Sequence, residues 1–343
     1  MTSMTSTGRA DRTVTMREVA ERAGVSVSTV SHVVNDKPGA RIGAETRARV
    51  LQAVADLGYR PNILAKNLVK GTSAFIGLVA DSIATTPFAG QIIRGAQEEA
   101  WRHGRVLLVA NTEGDAAAER DALAMMLEYK VRGILYSTWT HQATEIPAAL
   151  AETDHVLVNC YAPDTASRAV VPDEVAGGRT ATELLLAQGH RRIAFVNTTS
   201  PSPARDGRLQ GYRDAHAAAG AEADEELILD ATPEQEGGYG AAEQILALGA
   251  TGVFCHNDRV AMGLYDALRE RGLRVPTDLA VVGFDNQEVI AGHLRPPLST
   301  VALPHYELGA AGVRVLLGEE QVAPGEMLRV SCPVVDRDSI APR

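Results

Sequence analysis

The sequence predicts a small all-helical head joined to a larger α/β body of two lobes with parallel sheets. Three observations predict it. The first 70 residues carry helix caps and helical apolar spacing without a strand-like run. From residue 74 short apolar runs alternate with amphipathic stretches, the pattern of parallel strands whose faces are covered by helices. Finally, 343 residues exceed one ordinary domain.

Residues 1–13 read as a polar, disordered tail. Thr15-Met16-Arg17-Glu18 is a capping box that opens a first helix carrying Val19, Ala20 and Ala23 on one face. Gly24 ends it, and Ser26 caps a second helix running to about Asn35. Asn35 to Gly39 is turn chemistry. A third helix is expected from about Ala44 to Leu57, with Val50, Leu51, Val54 and Leu57 on its apolar side and Gly58 as its stop. A short further helix is expected from Asn62 to Lys70, followed by a Gly-Thr-Ser linker.

In the body, strands are expected at Phe75–Val79, Val106–Val109, Gly133–Tyr136, Val156–Val158, Ile193–Val196, Gly252–Phe254 and Leu279–Phe284. Helices are expected over Gln91–His103, Glu119–Tyr129, Glu174–Gln188, Arg208–Ala219, Tyr239–Leu248 and Arg259–Arg271. About 270 residues of this pattern predict two lobes.

The net charge of −10 conceals an asymmetry. Residues 1–70 carry 11 Lys+Arg against 6 Asp+Glu, a net of +5, and the remainder carries 22 against 37, a net of −15. A basic head on an acidic body suits a DNA-binding module joined to a domain that does not touch DNA, although an excess of +5 also arises by chance. Three scattered cysteines, Cys160, Cys255 and Cys332, fit a reducing compartment rather than a disulfide scaffold or Cys-based metal site. No secretory signal or membrane span is expected, which points to the cytoplasm.

Two short helices joined at a glycine, then a third, form a helix-turn-helix whose second helix enters the major groove. Val27, Ser28, Thr29, Ser31 and His32 are the candidates for base edges. Ser26, Ser31, Asn35 and Thr46 are candidates on the phosphate side, where contacts position without specifying sequence, and Thr15 is a further DNA-binding candidate.

The string from Val14 to Asn35, with Glu45-Thr46-Arg47-Ala48-Arg49-Val50 and Leu57-Gly58-Tyr59-Arg60-Pro61-Asn62, resembles the LacI/GalR family of transcription regulators. The resemblance continues to about Asp336, through Gly189-His190-Arg191-Arg192-Ile193-Ala194, Arg208-Leu209-Gln210-Gly211-Tyr212, Asn257-Asp258-Arg259-Val260-Ala261-Met262-Gly263 and Val281-Val282-Gly283-Phe284-Asp285-Asn286. It implies a helix-turn-helix headpiece at 14–60, a hinge helix and linker at 61–73, and an effector-binding and dimerisation body at 74–343 like a type I periplasmic binding protein. Lobe one would comprise about 74–172 and 303–326, and lobe two about 173–302 and 327–343. The implied partners are a near-palindromic operator, a small-molecule effector and a second copy of the chain. No cofactor or metal is implied, and no tetramer is expected, because no heptad tail follows Asp336.

The resemblance gives the hinge its role. Leu68, beside Ala65 and with Asn62 at the helix start, matches a leucine that wedges into a minor-groove step; the alternative is an ordinary buried leucine. His32 stands where many relatives have arginine, and the loop from 36 to 43 is about one residue longer than usual. In the body the resemblance places the effector on Arg208, Asn257 and Asp285, often with Asn159. A guanidinium, amides and a carboxylate offer forked donors and acceptors suited to the vicinal hydroxyls of a sugar. The same positions serve a purine-binding relative, so they leave sugar, purine and other metabolites open. Asp285 can instead be salt-bridged to Arg208, and Asn257 can simply cap a helix. Phe88 and Trp139 are candidates for stacking or packing, with Ser82, Ser137 and Arg205 as secondary candidates.

Other functions fit less well. Gly237-Gly238-Tyr239-Gly240 lacks the third glycine of a dinucleotide fingerprint, and no phosphate loop, His-Glu-x-x-His or serine elbow occurs. An enzyme is therefore not expected. The basic head argues against an exported sugar-binding protein.

Overall fold

The computed structural model describes residues 14–35, 37, 39–59, 73–83 and 90–343. It divides into two compact units, Met1–Ser73 and Ala74–Arg343. Asn62, Ala65, Leu68 and Phe88 lie outside the described residues, as do the polar tail and most of the hinge.

The head contains α1 (Met16–Ala23), α2 (Val27–Val34) and α3 (Ala44–Leu57). The expected capping box is formed: Glu18 N donates to Thr15 Oγ1 at 3.3 Å, and Thr15 N to Glu18 Oε2 at 2.7 Å. Gly24 ends α1 with φ +64°, a left-handed conformation that favours glycine. Ser26 Oγ accepts from Thr29 N at 3.1 Å and starts α2. Gly43 starts α3 without a side-chain cap. Val19, Ala20, Ala23, Val30, Val33, Val50, Ala53 and Tyr59 form the head's core. Leu51 is a correction: it is 50% exposed. The buried face of α3 follows Val50, Ala53, Val54 and Leu57, the helical i, i+3, i+4, i+7 stripe, and Leu51 lies off it by one residue, about 100°.

The body alternates strands and helices. Its first half contains β1 (Phe75–Ala80), α4 (Gly90–Arg102), β2 (Val106–Asn111), α5 (Ala116–Glu128), β3 (Ile134–Ala143), β4 (His155–Tyr161) and β5 (Arg168–Pro172). There follow α6 (Glu174–Ala187), β6 (Ile193–Thr198), α7 (Pro203–Ala218), β7 (Ile228–Ala231), α8 (Gln235–Ala247), β8 (Gly252–Cys255), α9 (Asp258–Glu270), β9 (Ala280–Asp285) and β10 (Ser299–Ala302). The chain closes with α10 (His305–Leu317), β11 (Met327–Val330) and β12 (Val334–Val335).

Two six-stranded sheets result, ordered β11-β5-β4-β3-β1-β2 and β12-β10-β9-β8-β6-β7. Strands pair in parallel throughout except β12, which runs antiparallel to β10. The apolar strands are buried on both sides, as helix-covered parallel sheets require. The chain passes between lobes after β5, after β10 and after β11. The last crossing corrects a boundary: β11 pairs with β5, so 327–330 belongs to the first lobe and the crossover follows Val330.

Close helix crossings shape the second lobe. A Cβ on Gly178 of α6 would lie 2.5 Å from the Cα of Arg208 on α7, so only glycine permits this approach.

Candidate functional site

Between the two lobes lies a cavity of about 370 Å³, within the range of small-molecule sites. Its first-lobe wall comes from Trp139, Thr140, His141 and Gln142 of β3 and Asn159 of β4. Its second-lobe wall comes from Thr198, the segment from Ser200 to Ala204, Arg208, Pro233, Glu234, His256, Asn257, Arg259 and Asp285. Glu174, Leu303 and His305, beside two crossovers, complete it.

The backbone turns these groups inward by irregular means. The β3–β4 register shifts between Ser137 and Gln142, a bulge that re-aims Trp139 to His141. Asn159 has φ +59° and Asp285 φ +97°, left-handed conformations at non-glycine residues, of the kind that persist at functional sites. Asn159 Nδ2 donates to Thr138 O at 3.0 Å, which ties β4 to the bulge.

Arg208 is the centre of the floor. The short α6–α7 crossing at Gly178 brings its backbone against α6, whose first residue is Glu174. Arg208 Nε donates to Glu174 Oε2 at 2.8 Å, and Nη1 donates to His256 O at 2.5 Å. Its Nη2 lies 3.6 Å from Asp285 Oδ1, and its guanidinium carbon stands 3.7 Å above the Phe284 ring. His141 Nδ1 approaches Glu174 Oε1 at 3.4 Å across the cleft. Burial alone would raise the Glu174 carboxyl, but Arg208 and His141 reverse the effect and hold it below the ordinary glutamate range. Burial raises Asp285 despite the opposing pull of Arg208. Burial, reinforced by Arg208, drives His256 far down, and burial takes His305 down to about 4, so both are neutral at pH 7. The Nδ1 atom of His256 is buried without a hydrogen-bond partner among the described residues.

Of the candidates named from sequence, Trp139, Asn159, Arg208, Asn257 and Asp285 come together on this cavity. Asn257 caps α9, its Oδ1 accepting from Val260 N at 2.9 Å and its Nδ2 donating to Pro233 O at 2.9 Å. Its side chain is thus engaged with backbone while lining the wall. Asp285 lies close to Arg208, as the salt-bridge alternative anticipated, and also accepts from Gln287 Nε2 at 2.9 Å. Ser82, Ser137 and Arg205 are not among the described lining residues. Ser137 Oγ donates to Val158 O at 2.8 Å inside the first sheet. Arg205 turns away to Thr198 O at 2.8 Å and Asp230 at 2.9 Å. Ser82 N donates to Asp81 Oδ1 at 2.6 Å.

Sequence reasoning missed Glu174, His141, His256 and His305. Glu174 reads as an ordinary first-turn acid, and the His141 position depends on a bulge no local signal announces. His256 stands directly before Asn257, so strand-end placement would have found it.

In the head, Val27 and Ser28 are exposed at the start of α2, while Thr29, Ser31 and His32 are partly exposed. Ser26 and Thr29 are joined by a 2.9 Å hydroxyl contact. Asn35 Nδ2 donates to Ser31 O at 2.9 Å and thereby closes α2. Thr15 is engaged in its capping box, and Thr46 sits in the first turn of α3.

Residues 15–62 match the family described as bacterial regulatory proteins, lacI family, and residues 182–340 match a periplasmic binding protein-like domain. The ribose operon repressor of Escherichia coli strain K12 is 36% identical over 311 residues, covering 88% of this chain and 92% of that protein. The HTH-type transcriptional repressor PurR of Vibrio cholerae serotype O1 strain M66-2 is 33% identical over 336 residues, covering 95% and 98%. Among solved structures, the lac repressor dimer bound to operator and the anti-inducer ONPF is similar with a TM-score of 0.77 at 27% identity, covering 96% of this chain and 100% of that one. With a helix-turn-helix head, a two-lobed body and these relatives along nearly its whole length, the chain belongs to the lacI family of bacterial regulatory proteins.

Proposed function

We propose that the chain is a cytoplasmic, sequence-specific DNA-binding repressor that acts as a homodimer and is controlled by a small polar effector held between the lobes, most simply a sugar or sugar derivative. The observation that carries the reading is the cavity itself: the buried guanidinium of Arg208, the amides of Asn159 and Asn257 and the carboxylate of Asp285 are among the groups that converge on a space of about 370 Å³ between two lobes. Paired donors and acceptors of this kind suit vicinal hydroxyls. The exposed start of α2 supplies the groove-reading surface, with Val27 suited to a thymine methyl and Ser28 to one short hydrogen bond. Asn62, Ala65 and Leu68 are assigned to the hinge and its minor-groove wedge. Linkage requires operator and effector to alter each other's affinity by the same factor, about 1–3 kcal/mol of coupling. Trp139 on the cavity wall, together with similarity to PurR, favours a purine as the second reading.

The test is a gel shift on the upstream region of the chain's own gene, with sugars and purine bases added. Salt-sensitive binding to one near-palindromic site, altered by a ligand, is expected. Asp285→Ala should abolish the ligand response and leave operator binding intact. Absence of any specific site refutes the repressor reading, and loss of operator binding in Asp285→Ala refutes the effector role of that residue.

A further inference from the structure

Among the described residues, both guanidiniums that line the cleft, those of Arg208 and Arg259, are already answered from within it. Arg208 is held by Glu174 at 2.8 Å with Asp285 3.6 Å away, and Arg259 lies 3.1 Å from Glu234. Among the described lining residues three carboxylates thus face two guanidiniums, with His141 Nδ1 a further 3.4 Å neighbour of Glu174 Oε1. His256 and His305 add no positive charge at pH 7.

We infer that Glu174 sets the charge class of the effector: by neutralising Arg208 it makes the cleft accept an uncharged, hydroxyl-rich molecule and turn away the phosphorylated or carboxylated counterpart. The inference rests on the effector reading of the cleft given above. An anion seeking Arg208 would have to displace Glu174, whose side chain is only 4% exposed, and leave that carboxylate buried beside Asp285. Glu174 also has little room to retreat. It is the first residue of α6, and its Cβ stands so close to α7 that a Cβ added at Gly207 would lie 2.7 Å from it. A neutral hydroxyl meets no such conflict. It can donate to the remaining lone pairs of Glu174, since an ionised carboxylate only accepts.

The chain has two tryptophans, Trp101 and Trp139. Trp101 is 61% exposed, so Trp101→Phe leaves Trp139 as a reporter on the cavity wall. Full-length protein in this background would be titrated with inorganic phosphate, with ribose and glucose, with their 5- and 6-phosphates, and with free purine bases, at constant ionic strength. Trp139 emission, melting temperature and operator release would be read together.

The unsubstituted cleft should ignore inorganic phosphate and bind a neutral compound at least about tenfold more tightly than its phosphate ester. Glu174→Gln should narrow that ratio by about tenfold or more and gain saturable phosphate binding. Glu174→Asp, which keeps the charge, should retain the exclusion. Equal or tighter binding of a phosphate ester to the unsubstituted cleft overturns the inference without need of any variant, so a Glu174→Gln chain that fails to fold does not protect it. An unchanged ratio in folded Glu174→Gln also overturns it, while leaving the effector reading intact. Silence of Trp139 and of operator release toward the whole panel counts against the effector reading itself, and the inference falls with it.

Discussion

Replacing Gly178 by alanine tests how the second lobe holds Arg208. The added Cβ would lie 2.5 Å from both the Cα and the carbonyl oxygen of Arg208, where ordinary contact begins at 3.4 Å. The obstacle is backbone rather than a flexible side-chain tip, so α6 and α7 must part by about 1 Å. Overpacking of this kind costs about 3 kcal/mol at the upper end of its usual range. Alanine returns about 1 kcal/mol in helix propensity, leaving a net loss of about 2 kcal/mol before any loosening of the buried Arg208–Glu174 pair. For a body of this size that corresponds to a fall of roughly 4 °C in melting temperature. The assay is scanning calorimetry of the full chain, with Gly240→Ala as control. Gly240 also sits in a helix, but a Cβ there meets nothing within 4 Å, so that variant should melt no lower than the unsubstituted chain. The head has its own core, so operator binding should survive in Gly178→Ala while the effector response is lost. A Gly178→Ala chain that melts with the unsubstituted one and keeps its response refutes the argument.

Ser26→Ala removes the cap of α2 and should cost the head about 1 kcal/mol, seen as earlier loss of its helical signal on heating. Leu68→Ala should weaken operator binding far more than non-specific binding in a competition gel shift; equal weakening of both would refute the wedge assignment. Asp258 gives a pH signature. Its carboxyl is buried, accepts from Thr300 Oγ1 at 2.7 Å and Gln287 N at 2.6 Å, and burial together with nearby Asp285 pushes it up to about 8. A folded pKa above the unfolded value gives stability that is full in acid and lost as pH rises through about 8. Relative to Asp258→Asn, the unsubstituted chain should therefore lose stability from pH 5 to pH 9, measured by urea unfolding; parallel profiles would sink this account.

Much of this protein was legible because its signals are local. The capping box at Thr15, the Ser26 cap and the left-handed glycines at 24 and 58 are short-range chemistry, and each lies where spacing predicted. The central strands were legible as unbroken apolar runs. The strands β5, β7, β10, β11 and β12 were not legible in the sequence: they are short, and several carry polar residues that only their sheet neighbours accommodate. The helix α10 was missed as well, and with it His305. Arg208 and Asp285 were legible as cavity residues from strand ends and resemblance, whereas Arg205, three residues before Arg208, is drawn elsewhere by Thr198 O and Asp230, partners that no local signal announces.

Local sequence was enough for the helix-turn-helix head, the alternating body and the family, because caps, turns and apolar periods act within a few residues of each other. Tertiary structure alone decided the character of the cleft. Glu174 and Arg208 are 34 residues apart, and His141 reaches Glu174 from the other lobe. Whether Arg208 stands as a free cation or a neutralised one depends on a helix crossing at Gly178 and on burial that strengthens every charge within it. No window of sequence contains those distances.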